Sequence, residues 1–298
     1  MAFPSPVHHR SIMSVSIHLH NAILADNFTA VQNALLKPPI PTLQDLEKAL
    51  ELAMPNASLS ILKLLIQVGA DLTRHALRNA MIRGHTEVFE LLVEAGWDIN
   101  SPNAVHMAIH HDIILRWLLE RGADASRRST YDYGQWCADM CTPMAQAARM
   151  GGNGVVPLQT LLEFGVEIDP LALLWAVNGT RRGRRSVTTM KILIEAGADV
   201  NYVSKRWSTP LSQAARCGDI DQIQMLLEAG ADPRVRHDWH NKISGSRTVR
   251  LRCSADFCGK KVCMENAVDC ARRHGHDEAL RILEKWVKKL EEHEKALV

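Results

Sequence analysis

Six times along this chain an apolar helical ending runs into a glycine and an acidic residue. Leu65-Ile66-Gln67-Val68-Gly69-Ala70-Asp71 is the first such ending, followed by Leu92-Val93-Glu94-Ala95-Gly96-Trp97-Asp98 and Leu118-Leu119-Glu120-Arg121-Gly122-Ala123-Asp124. Leu161 to Glu167, Leu193 to Asp199 and Leu226 to Asp232 complete the set. The glycines stand at 69, 96, 122, 165, 197 and 230, so the spacings are 27, 26, 43, 32 and 33 residues. A period in this range marks a repeat architecture, in which one short unit cannot bury its apolar face alone and is stabilised by copies on either side.

The most regular copy, 208–234, shows what the unit is. Thr209 can cap a helix that begins with Pro210. Ala214-Ala215 gives that helix a small face, and Gly218 is the residue type that ends a helix. A second helix, apolar at Ile220, Ile223 and Met225-Leu226-Leu227, stops at Gly230. The small residue of the first helix recurs as Ala22, Ala49, Ala80, Ala108, Ala147, Ala176, Ala214 and Ala271. Eight units follow, near 16–38, 42–73, 74–100, 101–129, 142–169, 170–202, 209–236 and 265–290. Residues 1–15 are expected to be a disordered N-terminal segment and 291–298 the end of a C-terminal helix.

The Thr-Pro-Leu opening, the paired alanines, the glycine, the aliphatic second helix and Gly-Ala-Asp together resemble the ankyrin-repeat family over roughly residues 16–290. The unit at 209–232 matches nearly throughout, with Ser212 where that family has His; Leu19-His20 and Val105-His106 keep the His. The resemblance implies an all-α solenoid of stacked helix pairs with short hairpin fingers on one side, and a module that binds other proteins. At the family's His position, His20 and His106 are expected to bond loop backbones. The junctions at Thr73-Arg74 and Asn100-Ser101 leave no room for a full finger, so the N-terminal half should be helix on helix. Two fingers are enlarged, at 127–141 and 237–263, and a further insertion separates Asn178 from Val187.

In the family, the positions just before the glycine that ends the first helix face a concave groove. Here they place Arg83, His110, His111, Arg149, Arg216 and Arg273 on it, a basic strip suited to an acidic segment of a partner protein. Tyr131, Trp136, Trp207 and Trp239 lie in fingers beside that strip, the composition of a binding hot spot. The same side chains also have a plain structural reading, since basic residues near a helix C-terminus complement its dipole. An alternative is an enzyme or small-molecule binder, with a pocket between the groove and the long fingers and His110, Asp132, Tyr133, Asp139 and His237 as its reactive groups. No Ser-His-Asp spacing, phosphate-binding glycine loop or HExxH motif supports it, and the reading favours a non-enzymatic adaptor.

Cys253, Cys258, Cys263, His237 and His240 are ligand types for zinc, but Cys-x4-Cys-x4-Cys lacks the Cys-x2-Cys spacing of a knuckle, so no cofactor is expected. The 35 basic and 33 acidic residues nearly cancel. Nucleic acid is therefore not the expected partner, despite the basic segment 234–263 and Arg181 to Arg185. No apolar run reaches the ~18 residues of a membrane span, and MAFPSPVHHRS lacks the apolar core of a secretory signal. Seven cysteines without a disulfide-framework spacing fit a reducing compartment, so a cytoplasmic or nuclear location is expected.

Overall fold

A computed structural model describes residues 17–38, 40–129, 142–178, 187–204, 208–238 and 264–296. The residues form two compact units, Met1–Ala123 and Asp124–Val298. Both are built from helix pairs. In the first unit the pairs are 17–24 with Phe28–Leu36, Leu43–Ala53 with Leu59–Gln67, Arg74–Arg83 with Thr86–Glu94, and Ala104–Ala108 with Asp112–Glu120. In the second they are Pro143–Arg149 with Val155–Glu163, Ala172–Asn178 with Val187–Glu195, Pro210–Cys217 with Ile220–Glu228, and Ala267–His274 with Asp277–Ala296. Within each unit, first helices pack on first helices and second helices on second helices.

The repeated residues explain this arrangement. The alanines at 22, 49, 80, 108, 147, 176, 214 and 271 are all buried. A methyl group at that point lets successive first helices approach closely enough to stack. Between them lie the aliphatic residues of the second helices, among them Leu65, Leu92, Leu118, Leu161, Leu193 and Leu226, each at most 2 % exposed. The six recurring glycines have φ between 70° and 96°, the left-handed geometry that lets the chain leave the second helix.

The acidic residue that follows closes the next turn. Asp98, Asp124, Asp199 and Asp232, and for the fourth ending Asp169 two residues beyond Glu167, each accept a hydrogen bond from the backbone N–H two residues later, at 2.8–2.9 Å. This Asx turn aims the chain at the next repeat. The first helices begin on their caps: the side chains of Thr73, Thr142 and Thr209 accept from the N–H three residues on. Thr42 with Asp45, and Asn266 with Asp269, form reciprocal capping boxes. Adjacent repeats are tied in the same way, since Asn201 donates to the Gly230 carbonyl and accepts from the Asp232 N–H.

Between Gln67 and Arg74 no strand intervenes, so helix follows helix there. In the second unit, His237–Asp238 pairs antiparallel with Met264–Glu265 at the base of the long finger. The intervening residues 239–263 lie outside the described residues, as do 1–16, 130–141, 179–186 and 205–207. His106 is 3 % exposed. His20 departs from expectation and is exposed, because no described repeat precedes its helix to supply a covering loop. No helix among the described residues is long and apolar enough to cross a membrane.

Candidate functional site

In the second unit, three basic residues occupy the same register, two positions after the buried alanine of their helix: Arg149, Arg216 and Arg273. Each lies near the end of a first helix, where a cation complements the exposed carbonyls. The Arg149 guanidinium lies over the Trp175 ring of the next repeat, 5.7 Å from the ring centroid, and both residues are half-buried. Such a cation–π contact orients the planar fork of the guanidinium. Arg216 is half-buried, and its Nε is buried with no hydrogen-bond partner among the described residues. An unmatched buried donor of this kind carries a desolvation penalty that an acceptor would relieve.

Arg273 is engaged differently. It forms an ion pair with Glu265, a carboxylate whose side chain is almost wholly buried. Glu265 stands opposite His237 in the two-residue ladder, and His237 is buried too. Arg273 thereby joins the first helix of the last repeat to the two-residue ladder. Burial, with the nearby Asp269 charge adding to it, pushes the Cys270 thiol up to about 12. Cys270 is a packed, un-ionised core residue at neutral pH.

A close contact joins the last two repeats at the end of their first helices. His276 Nε2 lies 3.1 Å from the Arg216 carbonyl oxygen. A carbonyl only accepts, so Nε2 carries the proton. The ring lies directly on Gly218, whose φ is +67°. His274 and His276 stack with centroids 6.4 Å apart. Further along, Arg234 binds Asp232 and Glu294, the latter through two contacts at 2.9 and 3.0 Å, which ties the long C-terminal helix back to the preceding repeat.

In the first unit the corresponding residues divide by role. Arg83 Nη1 donates to the carbonyls of Met54 and Ala57, at 3.2 and 2.8 Å, and so caps the helix end of the preceding repeat. His110 is exposed and His111 half-buried. Burial holds the His111 imidazole below its ordinary 6.5, the charge of His110 lowers it further, and Asp112 opposes both. Ile82, beside Arg83, is exposed. Arg121 stacks 4.0 Å above the Trp117 ring, which joins Phe89 and Trp97 in an aromatic cluster.

Tyr131, Trp136, Trp207 and Trp239 lie outside the described residues, as do Asp132, Tyr133 and Asp139. So do Cys253, Cys258, Cys263 and His240. Of the residues weighed as reactive or metal-binding, His110 belongs to the first unit and His237 to the finger base of the second. Among the described residues, no group of three or more His, Cys, Asp or Glu side chains is placed to hold a metal ion.

Trp175 and Glu265 are the residues that pattern reading passes over. Trp175 precedes the buried Ala176 by one position, so its offset from the Arg149 register could have revealed the pairing. Glu265 sits where the long finger returns, and nothing in the sequence marks it as the partner of Arg273.

A stack of capped helix pairs closed by Gly-Ala-Asp turns defines a helical repeat protein of the interaction class. Residues 50–129 match the family of ankyrin repeats in three copies, and residues 173–227 match ankyrin repeats in many copies. Over those two stretches the chain carries ankyrin repeats. Over 177 residues it is 28% identical to the ankyrin repeat protein nuc-2 of Neurospora crassa, covering 54% of this chain and 15% of that protein. An ankyrin repeat protein of Acanthamoeba polyphaga mimivirus is 34% identical over 65 residues, 22% of this chain and 40% of the relative. One from fowlpox virus is 26% identical over 153 residues, 47% of this chain and 97% of the relative. The chain thus spans 15% and 40% of the lengths of the first two. Ankyrin repeats generally mediate protein–protein interaction.

Proposed function

We propose that this chain binds another protein by taking an acidic segment of it onto the first-helix face of its repeats. In the second unit the segment is held by Arg149 and Arg216, with Trp175 as the apolar anchor. Arg273 adds positive potential while remaining bound to Glu265. In the first unit, His110 and His111 with Arg83 form a second, weaker basic stretch. Tyr131, Trp136, Trp207 and Trp239 are further contacts on this reading.

The observation that carries it is the shared register of Arg149 and Arg216, both half-buried near the ends of first helices in the second unit. A partner carboxylate that reaches such a guanidinium makes a charge-assisted bond, the kind that contributes most. Arg149 lies over the Trp175 face in that register. The near balance of basic and acidic residues leaves specificity to these local groups rather than to the field of the whole protein.

Titration of a purified partner tests the proposal. Arg149→Glu is expected to weaken binding at least about tenfold, and raising the salt from 50 to 500 mM to weaken it further. Binding indifferent to both would contradict it.

A further inference from the structure

We infer that the partner segment taken up by the second unit is extended and carries two carboxylates about six residues apart, one for Arg149 and one for Arg216. This rests on the reading of the first-helix face given above, and adds to it the conformation and the spacing of what binds there.

The accessible strip is narrow. Pro143 to Ala148 and Pro210 to Ala215 are buried, and half-burial begins at Arg149-Met150 and at Arg216-Cys217, where each first helix ends. In the intervening helix, Ala172–Asn178, Trp175 and Asn178 are half-buried and the other residues are buried. A file one or two side chains wide accommodates an extended chain. A helix is about 10–12 Å across with its side chains; it would need the bodies of the first helices as well, and those are covered.

Two contacts set the spacing. The Arg149 guanidinium lies over Trp175, one position before the buried Ala176 of the next repeat. Arg216 acts in the same sense on the repeat after its own. Burial and the Asp269 charge raise the Cys270 thiol, and the Arg216 charge opposes them. That places the Arg216 head near Cys270, one position before the buried Ala271. Both heads therefore lean one repeat forward onto the same register, and their separation stays at two repeats. Successive first helices lie about 10 Å apart, so the two guanidinia are about 20 Å apart. An extended chain advances about 3.3 Å per residue, so about six residues separate the carboxylates that meet them.

Neighbouring positions of the strip add no charge. The intervening helix has Trp175 and Asn178 in place of a cation, and the Asn178 amide donates to the Leu174 carbonyl at 3.0 Å. A carboxylate midway meets no cation of these helices. One repeat beyond Arg216, Arg273 is already paired with the buried carboxylate of Glu265. A third acidic residue further along therefore meets a neutralised pair. The segment is two spaced acids with uncharged residues between them, not a general acidic run.

Twelve-residue peptides of Pro and Ser, blocked at both ends, test this, because such chains stay extended. Two Glu residues are placed three, six or nine positions apart, so net charge is constant, and binding to the full chain is followed by fluorescence anisotropy at low salt. The six-position peptide should bind at least about tenfold more tightly than the other two. Arg149→Gln and Arg216→Gln, each shown to be folded by circular dichroism, should each abolish that preference. A third Glu three positions beyond the second should add less than about threefold with the wild type, and about tenfold with Glu265→Gln, where Arg273 loses its counter-charge. Equal affinity at all three spacings, weakened alike by Arg149→Gln, would overturn the spacing and leave the acidic-segment reading in place. Equal affinity that Arg149→Gln and Arg216→Gln do not change, or no binding by any peptide at about 1 mM, would overturn both. A spacing preference that survives both variants would put the carboxylates elsewhere and overturn the inference.

Discussion

Replacing Gly218 with alanine separates two reasons for a glycine at a helix end. The first is conformational: at φ +67° a side chain is disfavoured by about 1 kcal/mol. The second is a contact. A Cβ there would lie 2.5 Å from His276 Nδ1 and 2.8 Å from its Cγ. The ring must move, and its bond to the Arg216 carbonyl, with the packing around it, is lost at about 1–1.5 kcal/mol. Gly218→Ala should therefore destabilise the second unit by about 2–3 kcal/mol. Gly230→Ala is the matched control, because φ is +91° there and a Cβ meets nothing within 4 Å; it should cost only about 1 kcal/mol. In a His276→Ala background the contact is already gone, and Gly218→Ala should fall to the same value, a coupling of about 1–1.5 kcal/mol. Urea unfolding gives the energies. Hydrogen exchange at 209–276 confirms where the loss falls, since repeat arrays can unfold in parts. Equal losses for Gly218→Ala and Gly230→Ala, or no coupling to His276, would refute the contact as the cause.

Three further perturbations follow from the described contacts. Arg83→Met keeps the aliphatic stem but abandons the carbonyls of Met54 and Ala57, and should lower the stability of the first unit by about 1–3 kcal/mol, read by thermal and urea unfolding. Burial acts most strongly on Asp232 and opposes ionisation, yet hydrogen bonds from Arg234 and its charge together hold the Asp232 and Glu294 carboxyls below their ordinary 3.8 and 4.5. Their folded-state values are depressed, so the stability they contribute is full at neutral pH and is lost as pH falls below about 4; Arg234→Ala should flatten that loss and speed exchange at 290–296. Cys270, its thiol pushed up to about 12 by burial, should escape alkylation at pH 8 in the folded protein while half-buried Cys217 is modified, as peptide mapping by mass spectrometry would report; rapid native labelling of Cys270 would contradict its burial.

The fold was legible because its determinants are local and repeated. Each alanine at the stacking position is buried, and each glycine of the recurring ending turns left-handed, because these are the only residue types that fit there at low cost. The Asp after Gly-Ala is a turn former, and the structure uses it as one. The site was less legible, because register places a residue without naming its partner. Arg83 and Arg149 share one basic pattern in the sequence, yet one caps two carbonyls and the other stacks on Trp175. Arg234 and Glu294 are sixty residues apart, and no local signal joins them. His20 and His106 occupy the same repeat position but differ in burial, since burial there depends on a neighbouring repeat.

On the proposed reading, Arg149 and Arg216 receive an acidic segment of a partner protein. Affinity capture followed by mass spectrometry, with wild type beside Arg149→Glu, Arg216→Glu, tests it most directly once unfolding shows that both are folded. The expected result is a protein captured by the wild type, bound again as the purified protein, lost with the charge-reversed variant and released by salt. The same protein captured equally by both, at low and at high salt, would contradict it.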